Sequence, residues 1–328
     1  MWQVIGHTWA VDLLQRSLAS QRLAHAYLIT GPDHIGKTHL ALEFAAALNC
    51  NGEEVPCHHC TPCRKTVQGT HPDVQEIEPE GARLKIDQIR RLQYDLALSP
   101  HEGRRRVCVI SQFERATTEA ANALLKTLEE PPRHVVLILT ASDASLLLPT
   151  IVSRCQILPL RSVPTPIIEA ALRERIAEEA RVQLIAALAG GRVGWALQAI
   201  QEPALLEQRQ DDARQMLQVL CHGRARRIQQ AEMLATHEDV QGMLQTWQLC
   251  WRDVILLQHH CEELLANTDL YEELAQIATS SSPEQASTAW QSTRTMLDQL
   301  EKNVNARLAL EVMFLSWPRV EVGVTNSV

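Results

Sequence analysis

The run Gly31-Pro32-Asp33-His34-Ile35-Gly36-Lys37-Thr38 constrains this chain more than any other stretch, because it satisfies in full the pattern G-x-x-x-x-G-K followed by Ser or Thr. The pattern has a physical mechanism. Glycines let backbone N–H groups turn inward around a polyphosphate, the lysine brings charge to the terminal phosphates, and the Thr38 hydroxyl is offered to Mg²⁺. Both flanks agree. Ala26-Tyr27-Leu28-Ile29-Thr30 reads as a buried strand entering the loop, and Leu40, Ala41, Phe44, Ala45 and Leu48 recur at helical spacing after it. A phosphate would therefore sit on a helix N-terminus, with ATP and Mg²⁺ as the implied ligands.

A chain of 328 residues has room for two or three domains. It carries no stretch apolar enough to span a bilayer and no basic-then-apolar leader, so a cytoplasmic protein is expected. With 39 acidic and 31 basic residues the net charge is −8, and any nucleic-acid contact needs a local basic face or helix N-termini. Nine cysteines are an odd number for a disulfide framework, and clustered cysteines in such a compartment more often hold metal. Cys50, Cys57, Cys60 and Cys63 form a C-x₆-C-x₂-C-x₂-C run, with Asn51, Gly52, Pro56 and Pro62 suited to tight turns. Four such thiolates can close around one tetrahedral Zn²⁺, a structural site with no open position. An iron–sulfur cluster and a redox dithiol are the alternatives, and His58 or His59 could replace one cysteine.

In chain order, residues 1–25 read as one amphipathic helix with Ala10, Leu13, Leu14 and Leu18 on one side, and Val74-Gln75-Glu76-Ile77 as a second strand. Ile86, Ile89, Leu92 and Leu96 mark a helix. The run Arg104-Arg105-Arg106 is either a solvated turn or a contact for nucleic acid or nucleotide. Val107-Cys108-Val109-Ile110 is a strand whose end, in phosphate-loop ATPases, usually carries two carboxylates, one for Mg²⁺ and one for the attacking water. Here those places hold Ser111 and Gln112. Neither holds a dication strongly or takes a proton from water, and losing a positioned base costs about 10²–10⁴ in rate. Glu114 follows two residues later, and an extended chain would carry it several ångströms away. Binding without efficient turnover is the expectation.

Ala121 to Glu130 reads as a helix stopped by Pro131 and Pro132. Val135 to Leu139 and Gln156-Ile157-Leu158 are further strands, and the alternation predicts an α/β fold with a parallel sheet covered on both faces. Beyond Val163 no strand signal appears. Three helical stretches from 165 to about 201, broken at Ala180-Arg181 and Gly190-Gly191, predict a small helical lid. After Pro203 the chain reads as helical almost throughout, with Trp247, Trp251, Trp290 and Trp317 as core residues and Ser280 to Pro283 as the one evident loop. The expected domains are 1–162 with a zinc module at 50–63, a lid at 163–202, and an all-helical domain at 203–328.

Arg22-Leu23-Ala24-His25-Ala26-Tyr27-Leu28, the phosphate loop, the four cysteines, Asn122 to Pro132 (NALLKTLEEPP) and Ser153-Arg154-Cys155 together resemble the bacterial DNA polymerase III clamp loader subunits, the AAA+ ATPases delta-prime and gamma/tau. The resemblance is dense over residues 1 to about 160 and thinner beyond, through Gly190 to Leu197 and Asn303 to Glu311. It implies that Arg154 reaches across a subunit boundary toward a neighbour's γ-phosphate, an arginine in trans worth about 10³–10⁵ in turnover. It places Ser142 near the sensor-one position and Gly194 where gamma-type subunits carry a second-sensor arginine. A site short of strand-end acids beside an intact Ser-Arg-Cys arginine is similar to the delta-prime kind, as is a chain with no long tail after its third domain. That resemblance implies a hetero-pentamer with gamma/tau and delta subunits, joined through a helical collar, which loads a sliding clamp onto primer–template DNA. An active gamma/tau-type ATPase is the alternative. A nucleotide kinase would need an acceptor site and an arginine lid that the helical second half does not offer.

Overall fold

The computed structural model describes residues 2–237, 239–301 and 304–320 and comprises two compact units, Met1–Arg175 with Ala189–Trp195, and Ile176–Leu188 with Ala196–Val328. The first is built on five parallel strands, β1 (Ala26–Thr30), β2 (Val74–Ile77), β3 (Arg106–Ile110), β4 (Val135–Ala141) and β5 (Gln156–Pro159), in the order β2-β3-β4-β1-β5. Helices α1 (Thr8–Ala19), α2 (Lys37–Asn49), α3 (Thr61–Val67), α4 (Ile86–Leu96), α5 (Thr118–Glu129), α6 (Pro149–Val152) and α7 (Thr165–Arg173) complete it.

The sheet is apolar on both sides, so consecutive strand residues feed opposite cores. Tyr27, Ile29, Val107, Val109, Val136 and Ile138 pack with Ala10 and Leu14 of α1 and Leu40 and Phe44 of α2. Leu28, Cys108, Ile110, Leu137 and Leu139 pack with Ile89 and Leu92 of α4 and Leu124 and Leu128 of α5. The predicted α/β sandwich is observed. The single helix expected over residues 1–25 is not: α1 begins only at Thr8, because Gly6 and His7 both take positive φ (74° and 53°), and it stops before Gln21, at φ 54°.

At the rim where the strands begin, Asp73 is 2% exposed and accepts N–H bonds from His101 (2.7 Å), Glu102 (2.8 Å) and Gly103 (2.7 Å), with Arg106 Nε 3.7 Å away. Desolvation opposes its charge, but those donors and Arg106 hold its carboxyl below the ordinary value of 3.8. A depressed carboxylate adds stability above that value and loses it as pH falls through the folded one. Asp73→Asn is therefore expected to cost about 2–3 kcal/mol at pH 7. The gap between wild-type and variant urea midpoints should shrink below about pH 4. The same loop decides how the basic run is used. Arg106 Nη1 donates to Asp95 O (2.7 Å), the Arg105 backbone exchanges two hydrogen bonds with the buried amide of Asn49, and the Arg105 guanidinium meets Arg133 O. These arginines lie at the start of β3, at the opposite rim from the phosphate loop, so they do not contact a nucleotide held there.

The rest is helical: α8 (Glu179–Ala189), α9 (Val193–Gln201), α10 (Ala204–Cys221), α11 (Arg224–Leu234), α12 (Val240–Gln258), α13 (Tyr271–Ser280), α14 (Pro283–Glu301) and α15 (Ala306–Ser316). The break between α8 and α9 falls at Gly190 and Gly191, both at positive φ, as expected. Ala180 and Arg181 instead lie inside α8, and the earlier break is at 174–178. In the second unit, Trp247, Trp251 and Trp317 are buried around Phe314, with Trp317 edge-on to both other tryptophans (5.4 and 5.5 Å), while Trp290 is half-buried. Residues 259–270 form a further loop that sequence periodicity did not show. It folds onto the fully buried Asp253, whose Oδ2 accepts from Ala266 N, Asn267 N and Asn267 Nδ2 at 2.7–3.0 Å.

Arg227 of α11 is 4% exposed, and among the described residues its hydrogen-bond partners are backbone carbonyls. Nε donates to Val219 O and His222 O, Nη1 to Phe314 O and Trp317 O, and Nη2 to Leu220 O and Pro318 O, at 2.6–3.1 Å. One cation thus closes the C-terminal ends of α10 and α15, where orphan carbonyls and the negative dipole ends converge.

Candidate functional site

The loop 31–38 leaves β1 at the rim where the parallel strands end, beside β4, at the point where successive connections run to opposite sides of the sheet. Such a crevice is where open α/β sheets bind ligands. Gly31 has no alternative there: its φ is 147° and a Cβ would stand 2.6 Å from Leu160 O. Its N–H is shared between Ala141 O and Ser142 O at 3.2 Å. Pro32, Asp33, His34 (φ 59°) and Ile35 carry the turn to Gly36 (φ 102°), from which α2 starts. His7 Nε2 lies 3.1 Å from Ile35 O, and burial lowers the His7 imidazole's pKa, favouring the neutral ring. Gly194 donates its N–H to His34 O at 2.7 Å, and a Cβ there would come within 2.8 Å of that oxygen. The same segment brings Arg192 close enough to Asp33 to feel its charge, a cation the sequence reading did not single out.

Lys37 is 8% exposed, and its ammonium donates to Gly31 O (2.7 Å), Pro32 O (2.9 Å) and Asp33 Oδ1 (3.3 Å). All three of its donors serve the loop itself, so a phosphate would bind by exchange with these partners. Thr38 Oγ1 lies 3.3 Å from Ser111 Oγ, so the two hydroxyls meet where a metal-bound nucleotide would be held.

Besides Asp33 of the loop, Glu76 and Glu114 bring carboxylates to this rim. Ser111 Oγ donates to Glu76 Oε1 at 3.3 Å. Glu76 comes from β2, which pairs with β3 so that Glu76 faces Val109, and Ser111 lies two residues further on the same face. Desolvation, and then the charge of Glu78, raise the Glu76 pKa, while the Ser111 bond partly offsets them. Glu114 Oε1 accepts from Ser142 N (3.1 Å) and Ser142 Oγ (2.9 Å). An extended chain would have carried Glu114 away; instead Gln112 at φ 52° and the 3₁₀ turn Phe113–Arg115 curl it back to the end of β4. The strand-end positions are neutral as expected, but the rim is not without acids. Glu76 was missed because its relevance depends on strand register.

Arg154 lies on the opposite rim. It precedes β5, whose far end pairs with Thr30 beside the loop, so about 13 Å of strand separates the two. Its guanidinium bonds Glu129 Oε1 (2.9 Å) and Thr150 O (2.8 Å).

Cys50, Cys57, Cys60 and Cys63 converge between α2 and α3, all four sulfurs lying within 4.8 Å of one another. Sulfurs about 2.3 Å from one tetrahedral ion would stand about 3.8 Å apart, so the group fits a single thiophilic metal such as zinc. Such spacing leaves no volume for a multi-iron cluster. Gly52 N–H and Cys60 N–H point at the sulfurs of Cys50 and Cys57 (3.3 and 3.4 Å). Desolvation opposes the Cys57 thiolate, yet the N–H groups of Cys60 and His59 and the thiols of Cys60 and Cys50 bring it down to about 6. Burial pushes Cys50 and Cys63 up. A cation would compensate that burial. The histidines stand aside: His58 Nε2 is 3.4 Å from Glu43, and His59 Nδ1 is 2.8 Å from Cys57 O.

Two family descriptions match, "DNA polymerase III, delta subunit" over residues 6–164 and "DNA polymerase III, delta subunit, C terminal" over residues 204–319. The DNA polymerase III subunit delta' of Bacillus subtilis (strain 168) is 30% identical over 313 residues, spanning 93% of this chain and 94% of that protein. The DNA polymerase III subunit tau of Escherichia coli (strain K12) is 36% identical over 202 residues, 59% of this chain but 31% of that protein. A solved gamma-subunit-related protein of Thermotoga maritima shares the fold, with a TM-score of 0.52 at 22% identity over 93% of this chain and 97% of that one. Among the described residues no helix is long and apolar enough to cross a membrane.

Proposed function

The chain belongs to the bacterial DNA polymerase III delta-prime-related family of AAA+ clamp loader subunits, and on that footing we propose that it is a delta-prime-like subunit of a hetero-oligomeric loader that places a sliding clamp on primer–template DNA. Its partners are gamma/tau- and delta-type subunits, and Arg154 serves the nucleotide bound by a neighbour. One observation carries this reading. Arg154 and Lys37 occupy opposite rims of one parallel sheet, so a phosphate met by Arg154 belongs to another chain. The neutral Ser111 and Gln112 support slow turnover at the chain's own cradle. Leu308, Val312 and Leu315 stand 48–71% exposed at helical spacing on α15, an apolar face suited to a partner subunit.

The test is co-purification with gamma/tau- and delta-type subunits, paired with steady-state phosphate release by the isolated chain. A stable complex and negligible release are expected. Glu76 and Glu114 favour a second reading, an active gamma-type motor, and robust Lys37-dependent release without partners would establish it instead.

The four cysteines are read as a structural zinc site. Elemental analysis should find about one zinc per chain, and Cys63→Ala should abolish it. The variant is expected to lower the thermal midpoint by several degrees, since binding energy at a closed metal site is folding energy. Loss of the metal without any such change would leave the site without its structural role.

A further inference from the structure

We propose that Glu76 supplies the anionic wall of a Mg²⁺ site at Thr38 and Ser111, standing in from the neighbouring strand for the strand-end carboxylate this chain lacks, so that nucleotide binding here depends on Mg²⁺. The inference rests on the reading of residues 31–38 as a nucleotide cradle. Mg²⁺ in such sites keeps several waters and is held by one or two carboxylates together with the phosphates. Thr38 offers a neutral hydroxyl, and Ser111, at the place an acid usually fills, offers another at 3.3 Å. Two hydroxyls alone make a poor Mg²⁺ site, because neither brings charge to offset dehydration of the ion.

The missing charge arrives through one further hydrogen bond. Glu76 Oε1 is 3.3 Å from Ser111 Oγ, which puts it no more than about 7 Å from Thr38 Oγ1. A carboxylate can hold Mg²⁺ through a bound water, so Glu76 would not have to reach the ion directly to bring its charge to the Thr38–Ser111 pair. The β2–β3 register sets the backbone of Glu76, an exposed residue of the edge strand, beside Val109, and the buried Ser111 has hydrogen-bond partners for its hydroxyl in both Thr38 and Glu76. Glu78 crowds Glu76 with a second negative charge, and a dication relieves that repulsion. Glu114 is already engaged by Ser142, and Asp33 by Lys37, so Glu76 is the carboxylate that meets the Thr38–Ser111 pair.

The experiment titrates a fluorescent ATP analogue into the full chain, in EDTA and in Mg²⁺. Wild type should bind at least about tenfold more tightly with Mg²⁺ than without. E76Q should reduce that Mg²⁺ benefit to about twofold or less, and adding S111D in the E76Q background should restore it, which a merely structural role for Glu76 would not produce. E76Q with the full Mg²⁺ benefit, or wild type with none, overturns the proposal. K37A identifies the cradle as the binding place: nucleotide that binds K37A as it binds wild type sits elsewhere, and wild type that binds none has no working cradle. Either result overturns both this proposal and the cradle reading, while the service of Arg154 to a neighbour, read in the assembled loader, stands or falls separately.

Discussion

Arg154→Ala is expected to slow hydrolysis about 10³-fold or more at the one nucleotide site it serves in a reconstituted loader, while the loader still assembles. The magnitude follows from what a guanidinium in trans does. It meets charge that grows on the transferring phosphoryl group in a place sheltered from water, so the loss falls on the rate of the chemical step. Assembly should survive because, in the isolated chain, Arg154 makes a half-exposed ion pair with Glu129 and exposed bonds to Thr150 O and Ser153 Oγ. Surface pairs of that kind contribute about 1 kcal/mol or less. Arg154→Lys should not rescue, since an ammonium lacks the planar fork. The check is single-turnover phosphate release by loaders built with each variant, alongside gel filtration. Unchanged rates with intact complexes would remove Arg154 from the mechanism.

The second large effect is expected at Arg227. Replacing it with methionine keeps most of the apolar stem but leaves six carbonyl oxygens at the ends of α10 and α15 without their shared donor. Burial lowers the arginine's pKa, with Arg319 adding to the effect, yet a guanidinium stays protonated at neutral pH. Truncating a buried charged partner typically costs about 3–5 kcal/mol. In a helical unit of this size that is about 10 °C in thermal midpoint. The tryptophan cluster is the natural reporter, because Trp317, whose carbonyl Arg227 holds, packs edge-on against Trp247 and Trp251. Near-ultraviolet circular dichroism should show the loss at lower temperature. A change under about 1 kcal/mol would mean that the carbonyls find other donors.

What could be read from the residues alone was whatever is encoded locally. The phosphate loop, the four-cysteine run and the apolar strands each depend on neighbours within a few positions, and the structure has the loop between a strand and a helix, the four sulfurs together and the strands in one sheet. The errors are where distant segments decide. A helix over residues 1–25 satisfied periodicity, but Gly6 sits against Val163, far along the chain, and takes a backbone conformation that no helix continues. Glu114 was judged too far from the site because strand geometry was assumed past Ile110, whereas the buried Phe113 turns the chain back. Glu76 acquires its neighbours only through the β2–β3 pairing, and Arg227 only through the return of residues 314–318. Register and chain return leave no mark on spacing.

The placement of loop and arginine on opposite rims has a consequence for symmetry. A donor on one edge and an acceptor on the other let a contact join unlike edges, so the same contact can be repeated from chain to chain without a two-fold axis. Contacts of this kind run head to tail, and each protomer gives to one side what it receives from the other. Any circle assembled this way has a sense of rotation.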